Sequence, residues 1–279
     1  MVSVGRLETD SLSTLRTRHR FLRYGEFHAV EEFLAYRRWA AEHGLALYIL
    51  GNGSNTFFAS KTVRTLVLRN RLPRRLLPLD GERVEVSSSL PVGALLRYCR
   101  RRHLDSFFYL ASAPATVGGA IAMNAGRGRD YAMTVFDFLE RVSYVEGDNA
   151  VHVAADEIER GHRWTRFTGI HGRLIVSAVF RFRPGAYEGD PVADRLAYAR
   201  KHQDLTAPSC GSVFADCSAT VQTKLRGLRI GTACYSAKAT NWILNLGDDP
   251  RPVCALIAVS RALHALVGKR AILEIVAVE

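Results

Sequence analysis

Residues 208–217 read PSCGSVFADC, so a thiol at Cys210 and a hydroxyl at Ser212 flank a single glycine, Gly211. Glycine takes backbone angles that other residues avoid, which makes this a shaped turn. A cysteine nucleophile needs a base such as imidazole, and His202 is close in sequence. Cysteine is equally a small hydrophobe that cores bury. Ser212 stands just before Val213-Phe214, where a turn enters a strand, and its hydroxyl can give a proton as readily as attack. No GxSxG elbow is present, so nothing supports a hydrolase. A second stretch, HRWTRF at 162–167, carries Arg163 and Arg166 around Trp164-Thr165. In a strand, Arg163 and Thr165 share one face. A fixed guanidinium suits a carboxylate or a developing oxyanion, and surface arginines account for the pattern equally well.

Two glycine-bearing loops could hold a large anionic group. GNGSN (Gly51, Asn52, Gly53, Ser54, Asn55) follows an apolar run and is followed by Thr56. Its glycines let backbone N–H groups approach a phosphate. The spacing is not GxGxxG and no helix pattern follows, which argues against a dinucleotide fold of the doubly wound kind. APATVGGAIAMNAG (Ala113–Gly126) places Pro114, Ala115, Thr116, Gly118, Gly119, Asn124, Ala125 and Gly126 in an uncharged run. Gly118-Gly119 permits close approach of a planar or phosphorylated group. Thr116 and Asn124 need partners if they are buried. Together the two loops suggest a cofactor cradle rather than two ordinary turns.

Positioning such residues takes a mixed fold. Helix periodicity marks 29–43, with Val30, Phe33, Leu34 and Ala41 near one face and Gly44 as its stop. It also marks 91–103, with proline in the first turn, 190–203, and 252–267, where Val253, Leu256, Ile257, Ser260, Leu263 and Val267 share a face. Strands are expected at 45–50, 63–68, 83–87, 174–182 and 271–278. Helices and strands do not alternate as regular βαβ units, so the predicted class is α+β. A boundary near Pro184–Pro191 divides the chain into residues 1–186, a cofactor-binding region of two α+β subdomains, and 187–279, a smaller α+β substrate domain whose last strand could return to the first.

Composition narrows the function. The chain has 279 residues and a formal charge of +11, which attracts nucleic acid, anionic membrane or phosphorylated small molecules. The densest run, Arg100-Arg101-Arg102-His103, reads as a solvated helix end, because cations favour a helix C-terminus. It lacks the interleaved aromatics that base stacking needs. Five cysteines without a CxxC pair argue against a disulfide framework and against zinc, so no metal is expected. The N-terminal residues lack a signal-peptide core, and a reducing, cytoplasmic setting is the expectation. The uncharged run 106–126 is long enough to span a membrane but carries Pro114, Gly118, Gly119, Asn124 and Gly126, which fit a packed loop better.

The order of these stretches is more specific than any one of them. ILGNGSNTFF, APATVGGAIAMNAG, HRWTRF, QDLTAPSCGSVF, GLRIGTACYSAKATNWILN and the terminal ILEIVAVE together resemble the UDP-N-acetylenolpyruvoylglucosamine reductase family, in its compact subclass. The resemblance runs from about Ala29 to the C-terminus. It implies an FAD-binding region of the vanillyl-alcohol-oxidase/PCMH type and a smaller substrate domain. It also implies FAD as cofactor, NADPH as reductant, and hydride transfer through flavin N5 to an enolpyruvyl alkene of a UDP-sugar. By the same resemblance Ser212 is the proton donor, with Arg163 and Glu274 steadying the enol-like intermediate. The flavin loops are Gly51–Thr56 and the 114–126 run named above. Lys201, Gln203, Asp216, Lys238 and Asn241 are substrate contacts.

The chain also departs from the family pattern. Asn52 and Ala115 stand where glycine is usual, His162 where tyrosine is, and Thr165 where serine is. Ala215-Asp216-Cys217 replaces Lys-Asn-Pro, Val221 replaces an acidic residue, and Ala239 replaces a histidine. The N-terminal threonine-arginine-glycine-glycine signature is reduced to STLRTRHRFLRYGEF. The family's terminal pattern has two glutamates; if Glu274 matches the first, Val276 takes the catalytic place. Two alternatives follow from these departures. One is a flavin oxidoreductase acting on another small substrate in specialised metabolism; the other is a non-catalytic, basic binding protein.

Overall fold

The computed structural model describes residues 2–127 and 133–279. The chain folds into two compact units and passes back and forth between them. One unit holds Met1–Ser3, Gly25–Asn52 and Leu66–Ala199; the other holds Val4–Tyr24, Gly53–Thr65 and Arg200–Glu279. One of the divisions falls inside GNGSN, between Asn52 and Gly53, and the last falls between Ala199 and Arg200.

The first unit is built on an antiparallel sheet. Its strands run in the order Asn149–Ala154, Leu139–Glu146, Leu174–Arg181, Arg83–Ser87, Leu76–Pro78. Along Arg83–Ser87 the side chains of Val84 and Val86 are buried while Arg83 is exposed, the alternation a one-sided sheet requires. The helix Val92–Arg101 turns Val92, Leu95, Leu96 and Cys99 inward, and these join Val142, Ala178, Phe180 and Phe182 in one core. The arginine run ends this helix as expected, Arg100 and Arg101 in its last turn. The helix Val30–Glu42 buries Phe33 as periodicity suggested, but with Tyr36 and Ala40 rather than Val30, Leu34 and Ala41. Leu47–Leu50 pairs in parallel with Leu66–Asn70.

The uncharged run 106–126 is not wholly a loop. It contains the short helix Val117–Ala122 despite Gly118-Gly119. Thr116 caps it, its hydroxyl accepting from the Gly119 N–H at 3.2 Å, which satisfies a donor that a helix start otherwise leaves bare.

In the second unit the helix Arg251–Leu266 packs on a three-stranded antiparallel sheet of Arg229–Ile230, Ala233–Tyr235 and Ile243–Asn245. Val253, Leu256, Ile257 and Ser260 face inward as expected. Leu263 and Val267 do not; the buried face continues one turn on at His264. Its Nδ1 donates to the Ser260 carbonyl at 2.7 Å and its Nε2 accepts the Ser218 N–H at 2.9 Å. Those two bonds fix one neutral tautomer and let a polar ring sit in the core.

The predicted terminal strand 271–278 is two pieces, Ile272–Leu273 and Val276–Val278. The first pairs antiparallel with Phe214–Asp216, the second parallel with Thr56–Phe58. The break falls at Glu274-Ile275, where the chain changes partner.

Candidate functional site

The two glycine-bearing loops meet in the first unit. Gly51 lies so close to Thr116 that a Cβ there would stand 2.7 Å from the Thr116 hydroxyl. Asn52 Nδ2 donates to the Pro114 carbonyl at 3.0 Å, and the Ala115 carbonyl accepts from Val92 N–H at 2.9 Å. Gly118 spends its missing side chain on the protein itself: a Cβ would meet that of Ser88 at 2.8 Å. Gly119 meets only the Thr116 hydroxyl, at 3.3 Å, so it is the more open of the pair. Asn124 is buried with φ +41. Its Nδ2 donates to the Gly161 carbonyl at 2.8 Å, while its Oδ1 is buried without a hydrogen-bond partner among the described residues.

HRWTRF is a tight hairpin, not the continuous strand expected. Arg160–Gly161 pairs with Trp164–Thr165, leaving His162-Arg163 as the turn. A side chain at Gly161 would strike the Trp164 indole at 2.2 Å, so the tight pairing depends on glycine there. Arg163 sits at φ +62, where a non-glycine residue carries strain of the kind that gathers at working positions. Arg163 and Thr165 therefore do not share a strand face. The Arg163 guanidinium lies over the end of the second loop, with Nη1 3.2 Å from where a Gly126 Cβ would be.

Hydrogen bonds tie this hairpin to the loop. Thr165 Oγ1 and Thr168 Oγ1 donate to the Ala122 carbonyl at 2.9 and 2.6 Å. Arg166 has a different job: it pairs with Glu146 at 3.2 Å and lies over the Tyr144 ring, and Arg173 shares the same carboxylate. Glu146 is held below the usual carboxylate range, chiefly by the Arg173 hydrogen bond. Tyr109, whose hydroxyl reaches the Ala125 carbonyl at 3.5 Å, has its phenol pushed up by burial, with Arg163 opposing the shift.

The second unit holds Ser212 and Glu274. Gly211 has φ +79, and its N–H donates to Ser209 Oγ at 3.1 Å. Ser212 then forms an antiparallel bridge with Trp242. The Val213 carbonyl accepts from Glu274 N–H at 2.8 Å. Asn55 Nδ2 donates to the Glu274 carbonyl at 2.9 Å, and Val276 N–H donates to the Asn55 carbonyl at 2.9 Å. Thr14 braces Gly53, its N–H reaching the Gly53 carbonyl at 3.1 Å. A Cβ on Gly53 would lie 2.0 Å from the Leu12 carbonyl oxygen, so glycine is required there.

Cys210 is a half-buried packing residue against the core of this unit. Its sulfur donates to the Thr56 carbonyl at 3.3 Å and accepts from Thr14 Oγ1 at 3.4 Å. Burial pushes its thiol up, away from the thiolate a nucleophile needs.

The expected substrate contacts are dispersed within this unit. Lys201 is exposed and Gln203 half-buried. Lys238 Nζ donates to the Arg200 carbonyl at 2.8 Å. Asp216 lies opposite Ile272 in the strand pair. Asn241 turns its amide to the Phe214 backbone.

Comparison with known proteins decides the family. Residues 25–154 match the FAD binding domain family. The chain is 34% identical over 222 residues to UDP-N-acetylenolpyruvoylglucosamine reductase 2 of Symbiobacterium thermophilum, covering 76% of this chain and 70% of that protein. It is 33% identical over 228 residues to the reductase of Syntrophotalea carbinolica, covering 78% and 74%. It is 27% identical over 256 residues to that of Aquifex aeolicus, covering 88% and 84%. The crystal structure of UDP-N-acetylenolpyruvylglucosamine reductase from Thermus caldophilus superposes with a TM-score of 0.79 at 24% identity, covering all of both chains. The chain belongs to the UDP-N-acetylenolpyruvoylglucosamine reductase family.

As a member of this reductase family it is an FAD-dependent oxidoreductase of α+β fold. The cradle fits the cofactor. Two loops brought together at Gly51 and Thr116, with Gly119 open and a buried acceptor at Asn124 Oδ1 awaiting a donor, suit a large group with both phosphate and ring N–H functions. Two side chains brace these loops: Asn52 reaches Pro114, and Thr165 reaches Ala122. Reasoning from spacing missed Glu146, which fixes the hairpin, and Asp204, which fixes a turn in the second unit. The Asp204-x-Thr206 spacing was a readable signal for the latter, since the Asp204 carboxylate accepts from both Thr206 N–H and Thr206 Oγ1.

Proposed function

We propose that this protein reduces the enolpyruvyl ether of UDP-N-acetylglucosamine at the expense of NADPH. FAD, held by the Gly51–Thr56 and 114–126 loops, would supply the hydride chemistry that links NADPH to one carbon of the substrate alkene. Hydride addition to an alkene conjugated with a carboxylate builds negative charge on the other carbon, and a positioned guanidinium, Arg163, stabilises it. The Ser212 hydroxyl delivers the proton to that carbon, so the alkene gains one hydride and one proton and NADPH leaves as NADP+. Glu274 steadies the enol-like species. The unit with Gly25–Asn52 and Leu66–Ala199 is assigned to FAD, and the unit with Arg200–Glu279 to the sugar nucleotide. A cytoplasmic setting accords with the NADPH requirement.

The observation that carries the reading is the bracing of the Ser212 turn. Trp242 pairs with Ser212, and Glu274 bonds the residue after it. Charge supports the substrate class. The unit carrying Ser212 has 17 lysines and arginines against 8 aspartates and glutamates, a net +9, and only +2 remains for the other. That concentrates attraction for a diphosphate and a carboxylate where the sugar nucleotide is assigned.

Asp216 favours a second reading, in which the same half-reaction serves a different alkene-bearing acceptor, because its carboxylate repels a diphosphate. Anaerobic bleaching by NADPH followed by reoxidation with enolpyruvyl-UDP-N-acetylglucosamine is the expected result. Bleaching without reoxidation by that compound moves the assignment to the second reading.

A further inference from the structure

Asn241 sits at φ +64, in the left-handed region that asparagine tolerates better than most residues. Its main chain and side chain hold the two residues that follow Ser212. Val213 N–H donates to the Asn241 carbonyl at 2.9 Å. Phe214 N–H donates to Asn241 Oδ1 at 3.0 Å, and Asn241 Nδ2 returns a bond to the Phe214 carbonyl at 2.8 Å. The amide thus imitates the N–H and C=O of a neighbouring strand. The next residue, Trp242, makes the bridge with Ser212, and its indole is the nearest group to Gly211, 3.8 Å from the Cβ position. From another segment, Glu274 and Ile275 N–H groups reach the Val213 carbonyl at 2.8 and 3.4 Å.

This geometry leaves the amide little to offer a substrate, although the family resemblance had placed Asn241 among the substrate contacts. Both ends of the amide are engaged by one backbone residue. The left-handed turn at Asn241 is what aligns its carbonyl with Val213 and its side chain with Phe214 at once.

We propose that Asn241 is a positioning residue for Ser212. Its amide fixes the Val213-Phe214 backbone and so the direction in which the Ser212 hydroxyl is presented. The proposal rests on the reading of Ser212 as the proton donor. Small displacements of a reacting group are costly to rate, on the order of a hundredfold for 1 Å.

The test uses the FAD-loaded protein, NADPH and enolpyruvyl-UDP-N-acetylglucosamine. Asn241→Gly keeps the left-handed backbone and the main-chain carbonyl and removes only the amide. Asn241→Asp keeps the acceptor for Phe214 N–H and sets an oxygen against the Phe214 carbonyl. Ser212→Ala is measured in parallel. In Asn241→Gly, FAD content and the rate of bleaching by NADPH stay at the parent values. The reoxidation step falls at least about tenfold with KM for the sugar nucleotide unchanged, and the solvent deuterium isotope effect on that step rises. Asn241→Asp is slowed as well. Full-rate reoxidation in Asn241→Gly beside a slow Ser212→Ala overturns the positioning role and leaves the acid role standing. Full-rate reoxidation in Ser212→Ala removes the acid role and this proposal with it. A raised KM at unchanged kcat makes Asn241 a substrate contact instead. Loss of FAD or of flavin bleaching in both Asn241 variants assigns the amide to fold stability alone and also overturns the proposal.

Discussion

The backbone N–H of Glu274 donates to the carbonyl of Val213 at 2.8 Å, which ties Glu274 to the residue that follows Ser212. The same point is where the terminal strand leaves Phe214–Asp216 for Thr56–Phe58. Glu274 is therefore held at a crossing of strands, with its carbonyl also taken by Asn55. Glu274→Gln is expected to leave flavin reduction intact and slow substrate reduction by about one to two orders of magnitude, the range of a positioned acid–base group. Stopped-flow measurement of the two half-reactions checks this. An unchanged second half-reaction transfers the role away from Glu274.

Arg163 separates stability from activity. At φ +62 it bears strain that glycine does not. Arg163→Gly is expected to stabilise the fold, by up to about 1 kcal/mol, while turnover collapses for want of the guanidinium. Arg163→Lys keeps the charge and loses the planar fork, and should still cost about tenfold or more in turnover. Thermal unfolding and turnover on the same samples decide the matter; a destabilised Arg163→Gly contradicts the strain argument.

Thr165 is buried, and its hydroxyl serves both the Ala122 carbonyl and the Phe167 N–H, at 2.9 and 3.1 Å. Thr165→Val leaves the Phe167 N–H without this acceptor and the Ala122 carbonyl with Thr168 alone, and should cost about 1–3 kcal/mol. Thr165→Ser keeps the hydroxyl and should cost less. Because the bond anchors the end of the second loop, FAD release on dilution should be faster in the valine variant. Equal FAD retention in the two would separate the hairpin from the cradle.

Gly51 carries the contact between the loops. Gly51→Ala sets a methyl 2.7 Å from the Thr116 hydroxyl, so one loop must move. The expected outcome is weaker FAD binding, by about tenfold for a loss of roughly 1.4 kcal/mol, read by fluorescence titration of the apoprotein. Parent-like affinity would show that the loops need not touch to hold the cofactor.

Asp204 predicts a pH response. Burial alone would raise its carboxyl, but hydrogen bonds from Ser236 and Thr206 outweigh this and hold it below its ordinary value. The stability it contributes is fully present above the unfolded carboxylate value of about 3.9 and is lost as pH falls through the lower folded value. Asp204→Asn should flatten the acid limb of a stability–pH curve in that window and leave the curve's shape unchanged near neutrality. Denaturant melts between pH 2 and 7 supply the measurement.

Much of the site was legible because its parts are local. GNGSN and APATVGGAIAMNAG announce close backbone approach through composition alone, and a hydroxyl after Gly211 announces a turn entering a strand. Helix faces were read less well. Leu263 and Val267 fit the periodic face of the last helix yet are exposed, while His264 is buried because two distant groups, Ser260 and Ser218, satisfy its ring. Periodicity counts apolar residues and does not see a polar side chain that finds partners.

By itself the sequence determined the α+β class, the family and the two glycine-bearing loops. These follow from residue type, order and spacing, which are properties of the chain before it folds. Tertiary structure alone decided that Cys210 is packing and that Arg163 caps a strained turn. It also decided that Asn241 grips the Ser212 strand and that residues 4–24 and 53–65 join the C-terminal unit. Each of those depends on hydrogen bonds between segments far apart in sequence, and such bonds exist only once burial makes an unpaired donor or acceptor costly.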